Sequence, residues 1–189
     1  MKALSECPVD QADDSVVAQV TKAIMGLEEK PTGGLLAKRF SQYLGMLRAM
    51  YLWYHGAHHA VRGAAFAGDH AEIFGKFYRE SNEEFDGAVE KAVGLTQDEG
   101  MSCPIHITKL ALQVLQKYPS PPTVNTLSMF AVALQLENDY IEMVSQMFAE
   151  LEEAEQLSLG LNDFLMASAN DHESRVYFLQ QRIKTSLEN

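Results

Sequence analysis

The sequence is poor in cysteine and in positive charge. It has two cysteines, Cys7 and Cys103, in 189 residues, and neither belongs to a Cys-x-x-Cys pattern. A disulfide framework and a structural zinc site are therefore excluded, and a reducing cytoplasm is the expected location. Lys and Arg number 15 against 26 Asp and Glu, so the formal net charge of -11 favours cations over nucleic acid phosphates as partners.

Long apolar runs are absent as well. No stretch approaches the roughly 20 apolar residues that span a bilayer, and the first residues, MKALSECPVDQADD, lack the apolar core of a signal peptide. Sustained alternation of apolar and polar residues, which is typical of a half-buried strand, is also missing. We therefore expect a single all-α domain with no membrane contact, since 189 residues with 47% hydrophobic content suffice for one core.

Apolar residues at helical spacing predict a first helical hairpin. Its first helix follows the breaker at 31–34 and is expected to run to Gly63. The apolar stripe of that helix consists of Leu36, Phe40, Tyr43, Leu44, Leu47, Tyr51 and Tyr54. A second helix follows the small residues 63–68 and ends near Gly94. Residues 1–34 are an N-terminal extension, in which Ser15–Leu27 is a candidate peripheral helix.

A long crossover separates this hairpin from a second one. Residues 96–122 contain breakers around one short helix at Ile107–Leu115. We expect Ser120 to cap the third helix, with Pro121 in its first turn, and a break near Gly160 to lead into the fourth. The order hairpin, long crossover, hairpin is the connectivity of a ferritin-like four-helix bundle, here formed by residues 35–189.

Histidines are crowded around the first interhelical turn. Four of the six fall within sixteen positions, namely His55, His58, His59 and His70. Imidazole is the commonest side-chain ligand for transition metals, and residues three or four apart share a helix face. One metal ion could therefore be bound by His55 together with either His58 or His59. A structural or solvated role is the alternative for each of them.

Carboxylates recur on the second helix. Glu83, Asp86 and Glu90 are separated by three and four residues, which puts them on one stripe. Oxygen ligands beside imidazole suit iron, although acidic stripes are also commonly plain solvated faces. An antiparallel hairpin, or a symmetric pair of hairpins, would bring the histidine end of one helix against the carboxylates of another.

These residues resemble the signature of the Dps family of mini-ferritins. In that family a His-Trp-Asn-Val-Lys-Gly-like motif closes the first helix, a second histidine follows twelve residues later, and an Asp-x-x-x-Glu pair lies further along. Residues 58–63 (HHAVRG) match the first element, His70 has the twelve-residue spacing from His58, and Asp86 with Glu90 match the pair. Residues 172–179 (HESRVYFL) are similar to the family's closing helix.

The resemblance implies a subunit of a hollow homododecamer with ferroxidase activity. It implies that His58 and His70 of one subunit and Asp86 and Glu90 of its neighbour are the metal-ligating and catalytic residues, at a two-fold interface. Iron is the implied cofactor and substrate. Fe(II) is oxidised there by peroxide or dioxygen and stored as a ferric mineral, which protects against oxidative stress.

The chain departs from the family pattern at three site positions. His59 stands where the family has tryptophan, Ala60 replaces the asparagine, and Phe74 occupies the position of an aspartate expected four residues after the second histidine. Phenylalanine has no group that binds a metal. The candidate replacements for the lost carboxylate are Asp69, Glu72, His55 and His59.

The spacing also departs from the pattern. The interval from His70 to Asp86 is one residue longer than usual, so a gapless alignment of the second helix would put Ala71 at the ligand position. These departures favour a site that is weaker, altered in its metal or inactive. The alternative function is therefore a ferritin-like shell, or a helical interaction protein, with a degraded metal site and little ferroxidase activity.

Two other functions are disfavoured. A di-iron centre inside one bundle needs Glu-x-x-His motifs on two helices, and the sequence offers no convincing pair. Strong nucleic acid binding is not expected, because family members that bind DNA use lysine-rich tails. The N-terminal tail here has one lysine, Lys2, among its first 14 residues, together with four carboxylates.

Overall fold

The computed structural model describes residues 34–188, and within them the protein is helical with no strand. The main helices are α1 (Leu35–Ala60), α2 (Gly75–Thr96), α3 (Pro104–Leu115), α4 (Thr126–Glu153) and α5 (Leu159–Glu188). The predicted all-α class is confirmed. The N-terminal extension up to residue 33, with the candidate helix Ser15–Leu27, lies outside the described residues.

The four long helices form two hairpins joined by the predicted crossover. α1 packs against α2, α4 packs against α5, and α1 also contacts α4. The short helix α3 lies in the crossover and packs along α1. This approach requires glycine at position 45, because a Cβ there would lie 2.6 Å from the Cβ of Leu110.

The core is built from the apolar stripes of these helices. Its largest fully buried side chains include Phe40, Leu47, Phe74, Phe77, Phe130 and Leu136. Trp53 is buried too, and its indole N–H donates a 2.9 Å hydrogen bond to the carbonyl of Pro119 in the crossover. None of the described helices combines the length and the apolar character that a membrane span requires.

One predicted helix cap is wrong. Ser120 does not cap the third long helix, because Pro121–Thr123 form a separate 3-10 turn. α4 begins at Thr126, where the side chain of Asn125 accepts a 2.8 Å hydrogen bond from the backbone N–H of Ser128. Asn is a strong N-cap residue, and it sits directly before the apolar stripe. The predicted break near Gly160 is present between the end of α4 at Glu153 and the start of α5 at Leu159, with Glu155 in the left-handed region at a φ of 56°.

A charged network lies at the centre of this apolar core. His172 of α5 contacts Glu137 of α4 through Nδ1 and Glu84 of α2 through Nε2, the latter at 2.9 Å. Arg175 lies one turn along α5, 3.9 Å from Glu137. The carboxylates also accept hydrogen bonds from the hydroxyl groups of Tyr43, Tyr54, Tyr140 and Ser168. The network therefore joins all four long helices.

The charges of this network stabilise one another. Burial lowers the pKa of His172, but the carboxylates of Glu137 and Glu84 outweigh it and raise that pKa above its ordinary value. Burial raises the pKa of Glu84, but the hydrogen bond and charge of His172 lower it to about 2. Because both ring nitrogens face carboxylates, the imidazolium form of His172 is favoured. Arg175 adds a second positive charge, 3.9 Å from Glu137 and 3.3 Å from Glu80.

This network makes stability depend on pH on the alkaline side. Because the folded-state pKa of His172 is raised, its contribution to the free energy of unfolding is complete below the unfolded-state pKa, about 6.5, and is lost as pH rises through the folded-state pKa. We expect the urea midpoint of the wild type to fall between about pH 6 and pH 9. His172→Gln leaves two buried carboxylates with one cation, which costs about 3–5 kcal/mol at the lower pH.

The matched control is His106→Gln, since His106 is an exposed histidine of α3. It should keep both the wild-type stability and the alkaline decline. The His172→Gln protein should show a much flatter profile over the same range. A decline as steep as that of the wild type would contradict the role given to His172.

Candidate functional site

The clustered histidines lie where the chain turns from α1 into α2. α1 ends at Ala60, and Gly63 has a φ of 109°, which favours glycine. A helical turn at Phe66–Gly68 and a π-helical segment at Asp69–Phe74 then lead into α2. The hydroxyl of Thr126, at the start of α4, donates a 2.9 Å hydrogen bond to the carbonyl of Arg62 and fixes this turn against the second hairpin.

His58 and His70 form a reciprocal pair across this turn. Nδ1 of His58 lies 2.7 Å from the carbonyl oxygen of His70, and Nδ1 of His70 lies 2.7 Å from the carbonyl oxygen of His58. The two rings stack with their centroids 3.7 Å apart. Phe66 stacks on the outer side of His70, and Tyr78 contacts His58. The predicted pairing of these two histidines is therefore present in one chain.

The hydrogen bonds of this pair set the tautomer of each ring. A carbonyl oxygen only accepts, so Nδ1 carries the proton in both rings, and each neutral ring keeps the lone pair of Nε2 for a ligand. Burial and the neighbouring histidines His70, His59 and His55 lower the pKa of His58, against the opposing effect of its hydrogen bond to His70. The neutral form, which is the form that binds metals, is thus favoured at physiological pH.

The π-helical segment explains the unusual spacing after His70. Its hydrogen bonds run from residue i+5 to residue i, so the segment holds one residue more than an α-helical turn. The backbone N–H of Gly75 bonds to the carbonyl of His70 in this way. The extra residue between His70 and Asp86 is therefore taken up before α2 begins. His70, and not Ala71, therefore lies opposite His58.

Gly75 is required at the end of this segment. A Cβ at this position would lie 2.6 Å from the carbonyl oxygen of His70 and 3.2 Å from Nδ1 of His58. The carbonyl oxygen of His70 accepts hydrogen bonds both from the backbone N–H of Gly75 and from Nδ1 of His58. Any side chain at position 75 would therefore displace the ring of His58 or open the π turn.

Two residues discussed for the metal site have other roles, namely Asp69, a candidate replacement ligand, and Phe74, which stands at the position of the missing aspartate. Asp69 is buried, and its carboxylate forms a two-point ion pair with Arg182 of α5, at 2.7 and 2.8 Å. This pair anchors the π segment to the second hairpin. Phe74 is fully buried and stacks on Phe130 with centroids 4.9 Å apart. Phe74 thus belongs to the core, and Asp69 is not a replacement for the aspartate that the resemblance expects.

The predicted carboxylates lie far from the histidines of the same chain. Asp86 and Glu90 are exposed one turn apart on α2. Asp86 follows His70 by sixteen residues, which at 1.5 Å per residue is about 24 Å along the helix. One chain therefore does not bring the four predicted site residues together, and a shared ion would need the carboxylates of a second chain.

The inner network is the part of the polar architecture that sequence reasoning missed. Glu83, Asp86 and Glu90 were singled out on α2, but Glu84 is the carboxylate that points inward. A useful signal was the polar run at the centre of α5, where His172 and Arg175 are three residues apart and both buried. Within residues 34–188, no group of three or more His, Cys, Asp or Glu side chains has an arrangement that holds a metal.

Comparison with solved structures identifies the fold. Dps from Mycobacterium smegmatis, in a tetragonal crystal form, matches with a TM-score of 0.65 and 19% identity over 78% of this chain and 85% of that one. A C-terminal deletion mutant of Dps from the same organism matches with a TM-score of 0.66 and 21% identity, over 77% of this chain and 94% of that one. A further Dps structure from that organism matches with a TM-score of 0.61 and 21% identity, over 76% of this chain and 78% of that one.

No family model and no curated protein matches the sequence. The likeness is therefore one of architecture, with identities too low to transfer an activity. It includes two helical hairpins, a long crossover and a short helix within that crossover. The chain has the ferritin-like four-helix bundle fold of the Dps proteins, which confirms the resemblance at the level of the fold.

Proposed function

We propose that this chain is the subunit of a hollow iron-storage particle, a homododecamer, that oxidises Fe(II) at a site shared by two subunits. The observation that carries the proposal is the reciprocal pair of His58 and His70, whose hydrogen bonds use Nδ1 in both rings and leave both Nε2 atoms to bind a ligand. The fold shared with Dps proteins supports it. Asp86 and Glu90 of the neighbouring subunit would supply the oxygen ligands.

The chemistry assigned to the site is the oxidation of Fe(II) as a substrate. Two Fe(II) ions give up one electron each, and peroxide takes both electrons with two protons to form two water molecules. The histidines and carboxylates would hold Fe(II) near the oxidant, so that electrons pass in pairs and no hydroxyl radical is released. The net charge of -11 attracts Fe(II) to the particle. The low cysteine content fits a cytoplasmic setting with protection against oxidative stress as its role.

One observation favours a second candidate, a particle with little ferroxidase activity. The core position of Phe74 and the ion pair of Asp69 remove two positions of the histidine-bearing turn from metal binding and leave the exposed Glu72 as its remaining carboxylate. Such a particle would bind or sequester iron slowly. The rate of ferric product formation separates the two candidates.

Removal of one ligand from each half of the site tests the proposed oxidation. We expect His58→Ala combined with Glu90→Ala to reduce Fe(II) oxidation by peroxide or dioxygen to the rate in buffer, because each half of the site loses a donor. Ferric absorbance after aerobic or peroxide addition measures the rate. The matched control combines His106→Ala with Glu142→Ala, two exposed residues of the same types on α3 and α4. Equal rates for the two double variants would remove the proposed site.

Substitution of Gly75 tests how the histidines are positioned. Gly75→Ala adds a Cβ against the carbonyl of His70 and the ring of His58. Loss of this support is expected to lower the oxidation rate about 10–100-fold, the usual effect of disturbing the groups that orient a metal ligand. Circular dichroism should show an unchanged helix content.

The control for this substitution is Gly94→Ala, also in α2, where an added Cβ meets nothing within 4 Å. It should leave the oxidation rate unchanged and raise helix stability slightly, because alanine is the better helix former. If Gly75→Ala oxidises Fe(II) as fast as Gly94→Ala, the π turn does not position the site.

A further inference from the structure

Two further histidines lie side by side on the outer face of α1. His55 and His59 are exposed and stand one helical turn apart. Their ring centroids are 4.8 Å apart, with an interplanar angle of 85°. Side chains separated by four residues on a helix share a face with Cβ atoms about 5–6 Å apart. The backbone of α1 thus holds two imidazoles at chelating distance before any ion binds.

The nitrogens of both rings are available to a ligand. Within residues 34–186, each of these two rings makes ring contacts and no hydrogen bond. Two donors at about 2.0 Å from a tetrahedral ion are about 3.3 Å apart. Rings whose centroids lie 4.8 Å apart reach this arrangement by turning about their side-chain bonds.

The surroundings of the pair select the kind of ion. Tyr51 and Tyr78 flank the ring of His55, and His59 contacts His58 on its other side. No carboxylate takes part in these contacts. Neutral nitrogen donors without oxygen ligands suit borderline ions such as Zn²⁺ and Cu²⁺, whereas Mg²⁺ and Ca²⁺ prefer oxygen.

We propose that His55 and His59 chelate one borderline divalent transition-metal ion, of the Zn²⁺ or Cu²⁺ class, with water in the remaining positions. This site uses donors other than His58, His70, Asp86 and Glu90, so it stands apart from the proposed iron site and goes beyond the proposed function. It borders that site through the contact between His59 and His58, with ring centroids 4.8 Å apart.

Zinc titration of the full chain tests the proposal. The parent protein carries His58→Ala and His70→Ala, which removes the neighbouring imidazoles, and isothermal calorimetry with Zn²⁺ as the sole added ligand gives stoichiometry and affinity. We expect one Zn²⁺ per chain. Adding His55→Ala or His59→Ala should weaken binding by about tenfold or more, because a chelate of two donors becomes a single ligand. Adding His106→Ala, a lone exposed histidine, should change nothing.

A second measurement uses the unmodified site. Cu²⁺ bound to the otherwise wild-type protein should show nitrogen hyperfine structure in its electron paramagnetic resonance spectrum, and His55→Ala should lower bound Cu²⁺ by one ion per chain. The proposal is overturned if the parent binds no Zn²⁺, if His55→Ala binds it as tightly as the parent, or if His55→Ala leaves the amount of Cu²⁺ unchanged. These outcomes do not depend on Fe(II) oxidation, so failure here is distinguishable from failure of the proposed function.

Discussion

The two hydrogen bonds that join His58 and His70 through each other's backbone carbonyls organise the α1–α2 turn. They fix the protonated nitrogen of each ring and leave the other nitrogen as a donor. The carbonyl of His70 also closes the π turn through Gly75, so ring orientation and helix register are set by the same atom. Asp69, within that turn, is tied to Arg182 of α5. The histidine pair is therefore held by the bundle, which keeps its geometry constant without any bound ion.

The interior of the bundle carries a different kind of polar group. Glu84 and Glu137 lie opposite the positive charges of His172 and Arg175 at the centre, and hydroxyl groups from α1, α4 and α5 donate further hydrogen bonds to the carboxylates. Buried ion pairs are weak evidence for stability, but the loss of one partner is costly. This network specifies how the four helices align, since shifting any helix would leave a buried charge or a buried hydroxyl group without its partner. Both ring nitrogens of His172 are engaged with carboxylates, whereas the Nε2 atoms of His58 and His70 lie at the outer turn between α1 and α2.

The helices of this fold could be predicted from local sequence patterns, whereas the contacts of the polar side chains could be predicted only in part. Apolar spacing and the Gly and Pro breakers predicted both hairpins and the short helix of the crossover, because those signals are local. Ser120 was the wrong cap because a proline pair after a serine is ambiguous, and Asn125 is the stronger signal. The family resemblance pointed to His58 and His70 through their twelve-residue interval, and the structure places their rings in contact. The choice between Glu83 and Glu84 as the inward residue depends on His172, which is 88 residues from Glu84, and no local pattern reveals it.

The π turn is another feature that residue spacing alone leaves open. A spacing that is one residue too long indicates either a lost ligand or a local change of helical register, and sequence pattern does not distinguish them. The structure shows a change of register at Asp69–Phe74, with His70 stacked on His58 and Phe74 turned into the core. The proposed inter-subunit site depends on how subunits assemble, which the structure of one chain does not determine.

Subunit complementation tests this shared site most directly. One variant carries His58→Ala and His70→Ala, and the other carries Asp86→Ala and Glu90→Ala, so each alone lacks half of every site. When the two are unfolded, mixed and reassembled, an interface between unlike subunits contains one complete set of ligands. Fe(II) oxidation should then return to a substantial fraction of the wild-type rate, although each variant alone is inactive. Mixed particles as inactive as the separate variants would contradict a site formed between subunits.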